Sequence, residues 1–328
     1  MYKITLIEGD WIGPEVSAVM KEVVSASGVS IEWETHAFEQ GQLTDELLIS
    51  CHRNGLVVKG RTEAVRREGQ LPSTVALKKE LGLWGTVRPV KSLKGVGSRF
   101  IDLDLVVIRE TSEDIYAGFE HQVTEGVFEA VKITTQRACE QIAIKAFDYA
   151  LANGRKKVTI VHKSNIMKKS DGMFLRTAKR LSEQYPDLEV NEVIVDALCE
   201  KLVRWPYQFD VLLTLNLFGD IVSDLCSGLA GGIVASPSMS EGIYRGAPIF
   251  LFEALHGKVP ELVGKDQANP IPMLNVATML LRHLKEDSAA DKIQKGIETT
   301  LLNGIKTQDL GGSSSTSEFK HALLKELS

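Results

Sequence analysis

Short apolar runs alternate with segments of helical spacing along the whole chain. Residues 3–7 form an apolar run that ends at Gly9 and Asp10, which is typical of a strand followed by a turn. Residues 14–26 open with Pro14, favoured at a first helical position, and then repeat apolar side chains at helical spacing. The same reasoning predicts further strands over 30–35, 55–59, 103–108, 129–135, 157–162, 189–195, 210–215 and 248–252, and further helices over 136–152, 170–184, 221–232, 272–284, 288–302 and 315–326.

This alternation of strands and helices predicts an α/β protein. The chain has 328 residues, and a domain of roughly 150 residues would make about two domains. It carries 38 basic and 43 acidic side chains, a net charge of −5. That balance argues against a strongly basic nucleic-acid-binding protein, so we expect no nucleic acid as a partner.

The apolar segments and the cysteines indicate the compartment. The longest apolar run, over 211–217, is the size of a strand and far shorter than the ~18 residues of a membrane span. The first residues contain no signal-peptide core, and none of the four cysteines forms a C-x-x-C pair. We therefore expect a cytoplasmic protein with no membrane partner, in which Cys139 and Cys226 are buried small side chains.

Two glycine-containing segments imitate nucleotide-binding motifs. Residues 55–62 are similar to a phosphate-binding P-loop, but Arg61 stands where that motif requires lysine. Gly95 and Gly97 lack the third glycine of a dinucleotide-binding turn, since position 100 is Phe, and they precede a predicted strand instead of following one. An ordinary Rossmann site is therefore not expected.

Arg88, Arg109 and Arg137 are candidates for binding carboxylates. A guanidinium donates hydrogen bonds in a planar fork that matches a carboxylate. Each arginine alone is more often part of a surface salt bridge. The three together, one of them followed by the Asp-Ile-Tyr-Ala-Gly turn that contains Tyr116, favour an anionic ligand.

Three aspartates are candidate metal ligands. Asp220 and Asp224 are four residues apart, so on a helix they lie on one face and repel each other. A divalent cation with oxygen ligands would remove this repulsion, and Asp196 follows another predicted strand. The alternative is that one aspartate only stabilises the start of a helix.

Two loops carry weaker signals. Lys163 comes directly after a buried strand, where a lysine is either solvent-exposed or able to exchange a proton with a substrate oxygen. Residues 253–261, followed by Asn269 and by 309–312, contain glycines and prolines whose backbone N–H groups can bind a phosphate. Neither signal decides the function alone.

Together these segments resemble the β-decarboxylating dehydrogenase family, which includes isocitrate, isopropylmalate, homoisocitrate, tartrate and D-malate dehydrogenases. The resemblance covers essentially the whole chain and rests on Val-His-Lys-Ser-Asn-Ile-Met, Asn-Leu-Phe-Gly-Asp-Ile-Val-Ser-Asp and Lys-Asp-Gln-Ala-Asn-Pro. It implies an isopropylmalate dehydrogenase-like fold of two interleaved α/β domains with mixed sheets. Residues 1–98 and 243–328 would form the large cofactor-binding domain, and 99–242 the small domain.

The resemblance also implies a reaction. Family members oxidise a 2-hydroxy acid at its hydroxyl carbon with NAD or NADP. The resulting β-keto acid loses CO₂ and leaves an enolate, which is then protonated. In this family Mg²⁺ or Mn²⁺ polarises the oxygen as a Lewis acid.

By position in the motifs, the resemblance assigns residues to four roles. The metal ligands are Asp196, Asp220 and Asp224, the base is Lys163 and the acid is Tyr116. The substrate contacts are Thr74, Lys78, Arg88, Arg109, Arg137 and Asn165. In this family the positions of Lys163 and Asp196 reach a site formed mainly by the second protomer, so the resemblance implies a homodimer.

The family's cofactor loop falls on residues 256–262. The implied cofactor contacts are His256, Gly257, Lys258, Val259, Pro260, Glu261 and Leu262, with Asn269 and Asp309 beside the adenosine. A carboxylate at position 261 accepts hydrogen bonds from a ribose 2′-hydroxyl and repels a 2′-phosphate, which favours NAD. Lys258 is an opposing signal because its ammonium is able to contact a phosphate.

Two of the departures from the family pattern lie beside the cofactor or the substrate. Trp11 replaces the middle glycine of Gly-Asp-Gly-Ile-Gly-Pro-Glu, where a glycine often serves close approach or a positive φ. In the substrate-sorting segment, Pro72 and Thr74 replace Ser and Asn, and Lys78 replaces an arginine. Lys78 keeps the charge but not the fork.

This altered segment leaves the substrate open. We expect isocitrate or a close tricarboxylate-like analogue. The alternatives are homoisocitrate, a phosphonate analogue, D-malate or tartrate, or a non-catalytic regulatory subunit of such an enzyme.

Overall fold

The chain folds into two compact units, each containing a β-sheet with helices packed on it. The computed structural model describes residues 1–63, 72–232, 236–255, 257 and 259–328. The first unit consists of Met1–Leu83, Ser92–Asp102 and Ala230–Ser328, and the second of Trp84–Lys91 and Leu103–Leu229.

The secondary structure follows the predicted alternation. The strands are β1 (Tyr2–Ile7), β2 (Ile31–His36), β3 (Leu56–Lys59), β4 (Leu83–Lys91), β5 (Asp104–Glu110), β6 (Glu120–Thr124), β7 (Val127–Ala130), β8 (Lys157–His162), β9 (Glu189–Ile194), β10 (Val211–Thr214), β11 (Ser238–Tyr244) and β12 (Ala247–Glu253). The helices are α1 (Gly13–Ala26), α2 (Asp45–Asn54), α3 (Ser73–Glu80), α4 (Gln136–Ala152), α5 (Ser170–Ser182), α6 (Val195–Arg204), α7 (Asn216–Leu229), α8 (Ile271–His283), α9 (Asp287–Leu302) and α10 (Thr316–Glu326).

In the first unit the strands lie in the order β2-β1-β3-β12-β11. The pairs from β2 to β12 are parallel, and β11 runs antiparallel to β12. Apolar side chains fill the strands and the inner helix faces, as in the cluster of Leu47, Val57, Leu77 and Leu251. This core fixes α3 and the end of β12, which carry Lys78 and Glu253.

In the second unit the strands lie in the order β4-β5-β10-β8-β9. Strand β4 is antiparallel to β5, and the remaining neighbours are parallel. Strands β6 and β7 form a separate antiparallel hairpin in which every residue is exposed. The α/β class with mixed sheets is thereby confirmed.

Several elements differ from their predicted extents. Strand β4 was not expected, since Gly85 and Pro89 weaken a strand pattern, and α2, α3, α6, β6 and β11 were also not predicted. Helix α7 begins at Asn216 instead of residue 221. The strand predicted over 129–135 ends at Ala130, and only Ile133 continues the pairing, as an isolated bridge to Asp114.

The two units divide the chain differently from the predicted domain boundaries. Residues 84–91, which pair with β5, belong to the second unit. Residues 230–242 belong to the first unit, where β11 pairs with β12.

Burial explains why two of the cysteines have raised pKa values. Cys139 and Cys226 are buried free thiols, as predicted, and burial raises the pKa of each to about 12. Both thiols are therefore protonated and unreactive near neutral pH. Across the described part of the chain, the helices are too short or too polar to span a bilayer.

Candidate active site

Arg109 binds the start of helix α7. It lies near the end of β5, and its Nε and Nη2 donate to Asn216 Oδ1 at 3.0 and 2.7 Å. Its Nη1 forms an ion pair with Asp220 Oδ1. The side chain is 18% exposed, so burial and three hydrogen bonds fix the guanidinium.

Arg88 binds the same helix one turn further on. Its Nη1 donates to Asp224 Oδ1 at 2.6 Å and to Ser223 Oγ at 2.7 Å. Its Nη2 donates to Ser227 Oγ at 3.0 Å. Ser223 and Ser227 are four residues apart, so both lie on the helix face that meets β4.

Tyr116 approaches Asp220 from the other side. A 3-10 turn over Ile115–Ala117 carries it, and its hydroxyl donates to Asp220 Oδ2 at 2.7 Å. The ring also lies 5.3 Å from the Arg109 guanidinium. Partial burial, and then the negative charge of Asp220, raise the pKa of the Tyr116 hydroxyl above its ordinary value. Tyr116 is thus a protonated donor at neutral pH.

Lys163 and Asp196 form a separate pair. Lys163 follows β8, Asp196 lies in the first turn of α6, and their side chains form an ion pair. The hydrogen bond from Lys163 lowers the pKa of Asp196. Arg137, in the first turn of α4, and Asn165, in the turn after Lys163, are exposed.

The three predicted metal ligands do not come together within one chain. Among the residues described, no three His, Cys, Asp or Glu side chains are close enough to hold a metal ion. Asp220 and Asp224 nevertheless present carboxylates on one exposed helix face, with side chains 46% and 75% exposed. Two such oxygen ligands fit Mg²⁺ or Mn²⁺, provided that a further ligand comes from elsewhere.

In the first unit, Lys78 belongs to a buried ionic group. Its Nζ lies 2.6 Å from Glu253 Oε2, and Lys59 Nζ lies 3.6 Å from Glu253 Oε1. Lys59 and Glu253 are almost wholly buried, whereas the Lys78 side chain is 35% exposed. Thr74, on the same helix, shares a 2.9 Å hydrogen bond with Thr62.

Burial and charge act in opposite directions on this group. Burial lowers the pKa of Lys59 to about 8, although Glu253 opposes the shift. Burial by itself would raise the pKa of Glu253, but the ammonium groups of Lys78 and Lys59 outweigh it and hold that pKa below its ordinary value. Glu253 is therefore ionised.

Among the predicted cofactor residues, His256 and Lys258 lie outside the described residues. Val259 has a φ of 44°, and a 3-10 turn over Pro260–Leu262 exposes Glu261. Gly257 is exposed and Leu262 half-buried. Asn269 donates to Asp309 at 2.8 Å, so those two predicted residues are in contact.

Trp11 occupies a backbone conformation that favours glycine. Its φ is 54°, and the nearby Gly9 has a φ of 87°. A non-glycine residue in the left-handed region costs about 1–2 kcal/mol. The loop therefore keeps a glycine-like backbone although a tryptophan occupies the position.

Sequence reasoning gave no role to four residues that bind the candidate site's basic side chains. Asn216, Ser223 and Ser227 accept hydrogen bonds from Arg109 or Arg88, and Glu253 pairs with Lys78 and Lys59. Asn216, Ser223 and Ser227 lie within or just after the Asn-Leu-Phe-Gly-Asp-Ile-Val-Ser-Asp motif. Their helical spacing on α7 was the sequence feature that could have identified them. Gly219 was another. A Cβ at Gly219 would lie 2.6 Å from Arg109 Cγ and would also meet the Thr214 hydroxyl.

We predict that Gly219→Ala destabilises the protein. The added methyl overlaps the Arg109 side chain, and overpacking of this kind costs about 1–3 kcal/mol. Gly228, on the same helix, is the matched control because a Cβ there meets nothing within 4 Å. Gly228→Ala should leave stability unchanged or raise it by up to ~1 kcal/mol. Denaturant unfolding measures both, and equal effects of the two substitutions would contradict the close contact.

We also predict that, because of Lys59, the free energy of unfolding increases as the pH rises above neutral. Its folded-state pKa of about 8 lies below the 10.5 of an exposed lysine, so the unfolded state binds more protons between these values and stability rises with pH. Relative to Lys59→Met, the free energy of unfolding should increase by up to about 3 kcal/mol from pH 7 to pH 10.5. A constant difference across this window would show that Lys59 does not titrate as described.

Comparisons with known proteins identify the family. The family model described as isocitrate/isopropylmalate dehydrogenase matches residues 3–323. The chain is 43% identical to the mitochondrial NAD isocitrate dehydrogenase catalytic subunit 5 of Arabidopsis thaliana, over 98% of this chain and 88% of that protein. It is 42% identical to a regulatory subunit of the mitochondrial NAD isocitrate dehydrogenase of Dictyostelium discoideum, over 99% of this chain and 92% of that protein.

A solved structure supports the same family. Isocitrate dehydrogenase from Methylococcus capsulatus superposes with a TM-score of 0.89 at 36% identity, covering 100% of this chain and 99% of that one. The isopropylmalate dehydrogenase-like fold predicted from the motifs is thereby confirmed.

The expected cytoplasmic location is wrong, because the Arabidopsis and Dictyostelium relatives are named as mitochondrial proteins. Their names also give NAD as the cofactor, in agreement with the prediction. The chain belongs to the isocitrate/isopropylmalate dehydrogenase family and is an NAD-dependent decarboxylating dehydrogenase.

Proposed function

We propose that this protein catalyses the metal-dependent oxidative decarboxylation of isocitrate, or of a close tricarboxylate-like analogue, with NAD as oxidant. The observation that carries the proposal is the arrangement on α7. Arg109 and Tyr116 both bind Asp220, and Arg88 binds Asp224 one turn away. Names of the relatives support isocitrate as the substrate.

The arginines suit a substrate with several carboxylates. Arg88 and Arg109 are already oriented by neutral partners, Ser223 and Ser227 for one and Asn216 for the other. With Asp220 and Asp224 holding a divalent cation, both guanidinium groups would be available to substrate carboxylates, while these neutral partners would still orient them. Preorganised donors of this kind lose little entropy on binding.

Asp220 and Asp224, together with Asp196, would hold Mg²⁺ or Mn²⁺. The cation supplies Lewis-acid polarisation of the substrate oxygen when bound. Arg137, Asn165 and Thr74 are proposed as additional substrate contacts, and Lys78, held by Glu253, as the contact to the distal group.

Two side chains move protons in this proposal. Lys163 would accept the proton of the substrate hydroxyl during the oxidation, for which bound NAD would be the hydride acceptor. Loss of CO₂ leaves the bonding electrons in an enolate, and Tyr116 donates its hydroxyl proton to the enolate carbon. The position of the Tyr116 hydroxyl beside the proposed metal ligand Asp220, to which it donates at 2.7 Å, supports this role.

We propose NAD binding by the loop at 256–262 with Asn269 and Asp309. Glu261 is exposed in that loop and is able to accept hydrogen bonds from the ribose 2′-hydroxyl. The hydrogen bond between Asn269 and Asp309 supports a joint role for these two residues beside the adenosine.

We further propose that a second copy of the chain completes each site. Lys163 and Asp196 pair with each other, and no metal-binding group of three forms among the described residues of one chain. The β6–β7 hairpin and the residue before it expose apolar side chains, including Phe119 and Phe128, at 60% and 63%. An isolated two-stranded hairpin has little stability of its own, so contact with another chain would support it.

A substrate and cofactor panel tests the reaction. The purified protein with Mn²⁺ should reduce NAD with isocitrate, with little activity towards NADP, and should be inactive with chelator. Homoisocitrate, D-malate, tartrate and a phosphonate analogue are compared at equal concentration. Turnover of another acid but not of isocitrate would refute the substrate assignment. No turnover with any acid, combined with activation of a co-expressed homologue, would show instead that the chain acts as a regulatory subunit.

Mixing inactive variants tests the shared site. Lys163→Met and Asp220→Asn should each be inactive alone. When they are co-expressed, half of the dimers are hybrids with one intact site, which restores about a quarter of the wild-type activity. Lys163→Met with Asp196→Asn is the control, because both residues serve the same side of the interface and no intact site forms. Equal activity in the two mixtures would contradict a shared site.

A further inference from the structure

A largely buried lysine connects the turns that carry Lys163 and Tyr116. Lys132 follows the β6–β7 hairpin, and its Nζ lies 2.8 Å from Asp171 Oδ1 and 3.6 Å from Asp114 Oδ2. The Lys132 side chain is 15% exposed, and those of Asp171 and Asp114 are 0% and 2% exposed. Two buried carboxylates thus share this ammonium.

Asp171 carries the connection to Lys163. It lies in the first turn of α5, and its second oxygen accepts a 2.8 Å hydrogen bond from the backbone N–H of Lys163. One carboxylate therefore binds the Lys132 ammonium with one oxygen and fixes the backbone of the proposed base with the other.

Asp114 carries the connection to Tyr116 and to α7. Its Oδ1 accepts from the N–H of Ile115 at 2.8 Å, which starts the 3-10 turn that contains Tyr116. Its Oδ2 accepts from the N–H of Leu217 at 3.1 Å, in the first turn of the helix that carries Asp220 and Asp224. The φ of Asp114 is 75°, a costly conformation for a non-glycine residue, which these contacts hold in place.

Two further contacts fix Lys132 itself. Its Nζ lies 5.0 Å from the centre of the Phe218 ring, within the range of a cation–π interaction. The neighbouring Ile133 exchanges backbone hydrogen bonds with Asp114, at 3.0 and 3.4 Å. The segment after the hairpin is thus bound to the start of α7 by both backbone and side chain.

We propose that Lys132 is a positioning residue for the reaction proposed above. Its ammonium offsets the repulsion between Asp114 and Asp171. It thereby keeps Asp171 on the Lys163 backbone, and Asp114 on the Tyr116 turn and the first turn of α7. Lys132 has no role in proton transfer. Removing its charge leaves two buried carboxylates without this partner, and such groups are strongly unfavourable.

Lys132→Met tests the proposal in the full-length protein with Mn²⁺ and NAD. Displacement of a reacting group by about 1 Å can cost ~100-fold in rate, so we expect kcat to fall about 10- to 100-fold. The substrate KM should change less than about threefold, because Arg88 and Arg109 keep their own partners on α7. Lys132→Arg should recover most of kcat, since a guanidinium also bridges two carboxylates.

Lys157→Met is the matched control. Lys157 lies at the other end of β8, and its ion pair with Glu189 joins two neighbouring strands at the surface. Its removal should leave kcat unchanged. A loss of thermal stability without a change in kcat in Lys132→Met would overturn the proposal, and so would an equal loss of kcat in both variants.

Amide hydrogen exchange separates this proposal from the proposed function. In Lys132→Met the N–H groups of Lys163 and Leu217 should exchange faster, whereas in Lys157→Met they should not. This measurement needs no turnover, so it still decides the geometry if the wild-type protein proves inactive with every acid. Unchanged exchange at both amides would overturn the proposal. If Lys132→Met does not fold, Lys132→Gln, which keeps a donor without the charge, is measured in its place.

Discussion

Two guanidinium groups reach helix α7 from neighbouring antiparallel strands, and the arrangement of the second unit depends on this ionic contact. In the register of β4 and β5, Arg88 pairs with Val107 and Thr86 with Arg109, so the arginines lie two positions apart on the sheet. Asp220 and Asp224 are one helical turn apart. Residues two apart on a strand lie on one face of the sheet, and residues four apart on a helix lie on one face of the helix. Each arginine therefore meets one aspartate.

This contact also explains why the helix tolerates its own charge. Two aspartates four residues apart repel each other on an isolated helix, and the arginines offset that repulsion. Asn216, Ser223 and Ser227 accept further hydrogen bonds from the two guanidinium groups. These uncharged partners orient the arginines in addition to the aspartates. Gly219 allows the close approach, because any side chain there would displace Arg109.

Much of this architecture was predictable from sequence, and the remainder has physical reasons. Helix α4 and strand β8 were predicted with the observed bounds because apolar periodicity is strong in both. Strand β4 was missed because Gly85 and Pro89 hide its pattern. The motifs directed attention to Arg109, Tyr116 and Asp220, which the structure brings together. The contact between Lys78 and Glu253 was not predictable, because 175 residues separate them and only the fold brings them together.

The loop at Trp11 has a consequence for spectroscopy. Its neighbours hold the backbone in a left-handed conformation that tryptophan does not favour, through hydrogen bonds from Asp10 N–H to Arg61 and from Gly13 N–H to Asp10. Trp11 is one of the chain's four tryptophans. Its side chain is half-buried, and these hydrogen bonds restrict its backbone. The emission of this indole overlaps that of the three other tryptophans, so the difference between the wild-type protein and a Trp11→Phe variant gives an intrinsic optical signal from this loop without an added label.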